Sequence, residues 1–208
     1  NVSEIVMAGA MSRPPLDPSA FDAVMTGLAP RLIAAMQGGD DALLRLVIAI
    51  FEEQGFRVRG AHEIDPTLTV DAGLLCGAAL SEITGSDVAK GIAILETLSP
   101  MDVGQGVVVE NGLCLGIETL QGTDALLNFV AATPLHLRKM GGVFVKAPKR
   151  GQDLRVDMPT IGPDTITAMK TAGLSTLVIA SGAVLLLECD DTIRLAKQAN
   201  ITVFARDT

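Results

Sequence analysis

Between Val145 and Pro163 the chain gathers Lys146, Lys149, Arg150 and Arg155 beside Asp153 and Asp157, with Gly151, Pro159, Gly162 and Pro163 interspersed. Lysine and arginine at that density suit phosphate oxygens, and carboxylates among them suit a divalent cation. The same composition also describes a solvated, salt-bridged loop. A second candidate is Gly122-Thr123-Asp124, which could offer backbone N–H groups and a hydroxyl to a phosphate, leaving Asp124 for a cation. Taken alone, Thr123 or Asp124 would simply cap a helix. Taken together, two acidic groups from separate elements and several cations are the parts needed to hydrolyse a phosphate ester or anhydride. In such a site cations neutralise charge on the phosphoryl group while a carboxylate orients water.

Other residues carry weaker signals. Lys146 closes an apolar run, Gly142–Lys146, so its ammonium either emerges at the sheet end where α/β ligand sites lie or snorkels to solvent. His62 reads as a structural loop histidine rather than a base, and Asp40 and Asp41 read as helix caps. The chain has no Walker-type loop, no Gly-x-Ser-x-Gly elbow and no Cys/His pair, which removes nucleotide-triphosphatase and serine- or cysteine-hydrolase readings.

The elements that must hold these groups follow from periodicity and turn chemistry. A buried parallel strand is expected at Ile5–Gly9, a loop at Arg13-Pro14-Pro15, and helix over 19–36 in two pieces, split at Gly27 and Pro30. A capped helix over 41–53 stops at Gly55, Phe56–Gly60 alternates like a strand, and His62–Thr67 follows as loop. Small residues over 71–79 suggest a domain boundary there. Ser86 is placed as the cap of a helix over 87–98. Two apolar runs flank Asn111-Gly112, the pair that type I′ hairpin turns prefer. A helix then starts near Thr123. Downstream of the charged loop come helix 164–172, strand 177–179, a turn at Gly182, strand 184–187, helix 191–199 and strand 201–204. Alternation of helices and strands makes the class α/β: two α/β domains, 1–74 lacking its N-terminal part and 75–208 a mixed sheet with a β-hairpin that carries the charged loop.

Composition sets bounds. The 208 residues are 49% hydrophobic and 19% charged, enough for a substantial core. Six Phe and no Trp or Tyr leave a base or acyl group to be held by aliphatic side chains and backbone. A net charge of −8 argues against non-specific nucleic-acid binding. Cys76, Cys114 and Cys189 lack CxxC spacing, which suggests buried thiols in a reducing, cytoplasmic setting and no zinc site. No apolar run reaches the length of a membrane span.

Four motifs resemble one family: Gly39-Asp-Asp-Ala-Leu-Leu-Arg45, Met101-Asp-Val-Gly-Gln-Gly-Val-Val-Val109, Gln121-Gly-Thr-Asp-Ala-Leu-Leu127 and the run from Lys146 to Thr165. The family is the UDP-2,3-diacylglucosamine pyrophosphatase of lipid A biosynthesis, of the type unrelated to calcineurin-like phosphoesterases. The resemblance spans essentially the whole chain. It implies hydrolysis to UMP and 2,3-diacylglucosamine 1-phosphate, with a divalent cation, usually Mg²⁺. It also implies a homodimer at the cytoplasmic face of the inner membrane of a Gram-negative bacterium. It makes Asp153, then Asp124 and Asp157, the catalytic candidates, with Asp153 and Asp124 on the metal. Lys146, Lys149, Arg155, Thr123 and Gln152 become the substrate-binding candidates. Two departures stand out: Gln121 occupies a position where the family usually has Glu, and Arg150 one where it usually has Pro.

Overall fold

A computed structural model describes residues 2–9, 17–38, 40–139 and 141–207, so the loop expected at Arg13-Pro14-Pro15 lies outside the described residues, as does the side chain of Asp40. The chain forms two compact units. One is Asn1–Asp65 together with Gln152–Asp157; the other is Pro66–Gly151 together with Met158–Thr208.

In the first unit, β1 (Glu4–Val6) runs parallel to a later strand, and the helices α1 (Ala23–Gln37) and α2 (Asp40–Glu53) pack on each other. The partner of β1 is β2 (Arg57–Arg59), with Ile5 opposite Val58, and one helical turn, α3 (Ala61–Ile64), follows. β1 is not the buried strand its apolar residues suggest, since Val6 is 41% exposed. Nor does α1 break: it runs through Pro30 as a single helix. An interior proline costs a helix about 3 kcal/mol. Here the Asp22 carboxylate accepts the Met25 N–H at 2.7 Å and α2 packs alongside, which offsets that cost. α2 stops as its glycine predicts. Gly55 sits at φ +87, its N–H reaches Glu52 O, and the Phe56 N–H reaches Phe51 O. The Phe51 and Phe56 rings then meet edge-on at 6.4 Å, the apolar contact that accompanies this type of stop. The loop expected from His62 contains α3 because the Glu63 carboxylate accepts the Gly60 N–H and closes the turn.

The second unit is built on a six-stranded mixed sheet. In chain order its elements are β3 (Gly73–Cys76), α4 (Glu82–Leu98), β4 (Gly106–Glu110), β5 (Leu113–Ile117), α5 (Gly122–Ala131) and β6 (Val143–Lys146). Then come β7 (Thr160–Ile161), α6 (Pro163–Thr171), β8 (Thr176–Ala180), β9 (Leu185–Leu186), α7 (Cys189–Gln198) and β10 (Thr202–Arg206). The order across the sheet is β3-β10-β8-β6-β4-β5, and β7 and β9 form a separate parallel pair. β6, β8 and β10 are parallel; β3, β4 and β5 run antiparallel to their neighbours. Val107, Val108, Phe144, Leu177 and Ile179 are wholly buried, as near-continuous apolar runs in a sheet covered on both faces should be.

Two boundaries differ from the sequence reading. Residue 74 lies inside β3, which pairs with β10 and so belongs to the larger sheet. Gln152–Asp157, although preceded and followed by second-unit chain, belongs to the first unit. The helix before the hairpin starts at Ser81, whose hydroxyl accepts the Thr84 N–H at 3.1 Å; Ser86 lies within it and donates to Glu82 O. The hairpin turn has both residues left-handed, Asn111 at φ 49 and Gly112 at φ 75, as a type I′ turn requires. The Asp87 carboxylate accepts both their N–H groups, at 2.8 and 2.7 Å. Cys76 is buried, but Cys114 is exposed because β5 is an edge strand. Among the described residues no helix is long and apolar enough to cross a membrane.

Candidate active site

In the first unit the turn Gln152–Asp157 is closed by its own backbone, with the Val156 and Asp157 N–H groups donating to Asp153 O and the Gln152 amide donating to Asp157 O at 2.5 Å. Asp153 and Arg155 form a forked pair: Oδ1 accepts from Nε at 2.9 Å and Oδ2 from Nη2 at 2.7 Å. Arg155 also donates Nη1 to Glu52 at 2.8 Å. The Arg155 hydrogen bonds hold the Asp153 carboxyl below its usual range, with a smaller contribution from the charge of Arg45, and Asp153 in turn raises the Arg155 guanidinium. Asp153 is therefore ionised at neutral pH. Gly60 lies under this turn: a Cβ there would come within 3.3 Å of Arg155 Cα and 2.5 Å of the His62 ring. The Asp41-Arg45 pair of the 39–45 motif, at 2.7 Å, belongs to the same unit, and Asp41 Oδ1 and His62 Nδ1 are buried without a hydrogen-bond partner among the described residues.

In the second unit three motifs meet at the carboxyl end of β6. Lys146 Nζ donates to Glu118 Oε2 at 2.6 Å and to Thr123 Oγ1 at 2.8 Å, and Thr123 donates to Glu118 Oε1 at 3.1 Å. Lys146 is 2% exposed, so it does not snorkel to solvent, and its ammonium is held at the sheet end by Glu118 and Thr123. Lys149 pairs with Asp102 of the 101–109 motif at 2.5 Å. The Arg150 N–H donates to Ser99 Oγ, and its guanidinium reaches Glu96 at 3.1 Å. Asp124 is exposed in the first turn of α5, where a carboxylate complements the helix dipole, and it caps nothing. Gln121 accepts the Thr119 hydroxyl just before the helix.

The proposed site residues thus divide. Gln152, Asp153, Arg155 and Asp157 lie on the first unit, and Thr123, Asp124, Lys146 and Lys149 on the second. Sequence reasoning gave no role to Glu118, Asp102 or Glu52. Glu118, one residue beyond the apolar β5 and just before Gln121-Gly122-Thr123, was the available signal for an acid at a sheet end.

Comparison with known proteins divides the chain once, near residue 70, and places Gln152–Asp157 in the C-terminal match. The LpxI N-terminal domain profile matches residues 1–68 and the LpxI C-terminal domain profile residues 71–204. The chain is 37% identical over 207 residues to the UDP-2,3-diacylglucosamine pyrophosphatase LpxI of Caulobacter vibrioides, covering 98% of this chain and 74% of that protein. The chain belongs to the LpxI family. Its two profiles meet between residues 68 and 71, close to the passage from the first LpxI unit to the second at Asp65–Pro66.

Proposed function

We propose that this protein hydrolyses the pyrophosphate of UDP-2,3-diacylglucosamine to UMP and 2,3-diacylglucosamine 1-phosphate. The observation that carries the reading is the identity to the Caulobacter vibrioides pyrophosphatase along 98% of the chain. The chemistry of each unit supports it: in the first, an ionised Asp153 is suited to orient a water and Arg155 and Gln152 to meet phosphate oxygens, and in the second Lys146, Lys149 and Thr123 are suited to phosphate oxygens. Asp124 and Asp157 are the next carboxylates in rank.

Among the described residues no group of three or more His, Cys, Asp or Glu is arranged to hold an ion, and both Asp153 oxygens accept from Arg155. Magnesium is ordinarily held by one or two carboxylates plus substrate phosphates, so we propose that Mg²⁺ arrives with the pyrophosphate. A lipid-linked substrate further supports a protein peripheral to the cytoplasmic face of the inner membrane. A homodimer completes the proposal, and nucleic acid is no partner.

The test is incubation of the full chain with UDP-2,3-diacylglucosamine, with Mg²⁺ or EDTA, followed by UMP. Prompt, EDTA-sensitive release is expected. Tight binding with no UMP would replace the hydrolase by a binding protein for a sugar nucleotide.

A further inference from the structure

Two buried ion pairs stand at opposite ends of β4 and β6, and the one at the carboxyl end of β6 lies where α/β proteins bind ligands. At the amino end of β6, Arg138 donates Nε and Nη2 to Glu110 Oε2 at 3.1 and 2.9 Å, and Nη1 to Val130 O at 3.1 Å. Glu110 Oε1 accepts the Lys139 N–H. Both Glu110 oxygens are engaged, and the guanidinium uses three of its five N–H donors.

At the carboxyl end the partners are an ammonium, a carboxylate and a hydroxyl. The Lys146 ammonium has three N–H donors, and Glu118 and Thr123 take two of them. Thr123 gives its own proton to Glu118. One ammonium donor is left over on a side chain that is 3% exposed, beside a Glu118 side chain that is 11% exposed. The carboxylate packs directly against Gly106, where a Cβ would lie 2.4 Å from Glu118 Oε2 and 2.8 Å from the Phe144 ring. Burying an ammonium costs heavily unless a counter-charge accompanies it, and Glu118 supplies that charge while fixing where the ammonium sits. The site is the carboxyl edge of parallel strands, where α/β proteins bind ligands.

We infer that Glu118 is a positioning residue of the hydrolysis. It locks Lys146 and Thr123 into one unit and leaves the remaining ammonium N–H for an anionic oxygen of the pyrophosphate. The inference rests on the proposed hydrolysis and on the place of Lys146 in it. Glu118 acts through Lys146 and does not touch substrate, so its loss has no effect once Lys146 is gone.

The experiment compares Glu118→Gln, Lys146→Met and the double variant, each assayed for UMP release at a temperature where circular dichroism shows it folded. Each single change should lower kcat/KM by about 30-fold, the value of one charge-assisted hydrogen bond, with the double variant no lower than Lys146→Met alone. Glu118→Asp, which keeps the charge, should recover part of the loss. Glu110→Gln, at the pair on the amino end of β6, should lower Tm and leave kcat/KM of the folded protein unchanged. If Glu118→Gln does not fold, Gly106→Ala replaces it, pressing on the carboxylate without removing it, with the same loss in kcat/KM expected.

A folded Glu118→Gln enzyme with wild-type kcat/KM overturns the inference, as do losses that multiply in the double variant. Full turnover by Lys146→Met removes Lys146 from the site and the inference with it. Should the unaltered protein release no UMP, the hydrolysis reading fails separately. Calorimetry with inorganic pyrophosphate then decides: binding about tenfold weaker in Glu118→Gln supports the positioning role, and unchanged binding ends it.

Discussion

Asp153–Arg155 in the first unit and Glu118–Lys146 in the second are both short ion pairs between candidate site residues, yet they are built on opposite principles. The first joins residues two apart in the chain, with side chains 19% and 33% exposed. The second joins residues 28 apart, with side chains 11% and 3% exposed. A local, half-exposed pair costs little to form and little to break, so Asp153 can exchange its partner for a substrate or a water. A remote, buried pair exists only once the sheet has formed, and breaking it strands a charge. Reactive groups that must change partners suit the first kind; groups that must stay in place suit the second.

The contrast can be broken most decisively at Asp153. Asp153→Ala should cut UMP release by at least about 10³-fold while leaving the far-UV circular dichroism spectrum unchanged, because little stability rests on that pair. Retention of turnover would remove Asp153 from the chemistry. Next in size, Glu118→Ala should destabilise the fold by about 3–5 kcal/mol in a urea titration, since Lys146 would be left buried without its counter-charge. A loss as small as that of a surface pair would show that water reaches the ammonium.

Acid sharpens the comparison further. The folded Asp153 carboxyl is depressed by Arg155, so its stabilisation is fully present above the ordinary carboxylate range and is lost as pH falls through the depressed value. Wild type should exceed Asp153→Asn by less than about 1 kcal/mol at neutral pH, and the two should converge at low pH in paired urea titrations. Divergence on acidification would reverse the sign. Smallest of all, Glu52→Gln, which removes the outer partner of Arg155, should change stability by about 0–1 kcal/mol and kcat by less than Asp153→Ala.

What could be read from the chain tracks the same distinction. The Asn111-Gly112 turn, the stop at Gly55 and the charged run around Asp153 are set by neighbours, and their chemistry is visible in a few consecutive letters. Glu118 was legible only as an acid at a sheet end, because its partners Lys146 and Thr123 are brought to it by strand pairings distant in the chain. Assignment of Gln152–Asp157 to the first unit was hidden for the same reason: nothing in that hexapeptide names Glu52 or Gly60 as its neighbours. Pro30 misled in the other direction, since its local penalty is real but smaller than what the Asp22 cap and α2 return. Ser81 was passed over for Ser86 because Gly85 weakens the helical pattern between them. Family resemblance reached the functional class where pairwise reasoning could not, because it reads many weak, non-local constraints at once.

The hairpin clamp has a consequence for shelf life. Asn-Gly is the dipeptide that ages fastest in proteins, because the glycine amide nitrogen can attack the asparagine side chain and close a succinimide ring. Here that nitrogen is the Gly112 N–H held at 2.7 Å by Asp87, in a turn whose backbone is fixed on both sides by strands. The clamp that shapes the turn therefore also slows its chemical clock. Samples of Asp87→Ala stored at neutral pH should accumulate deamidated and isomerised Asn111, seen by peptide mapping, faster than the unaltered protein does.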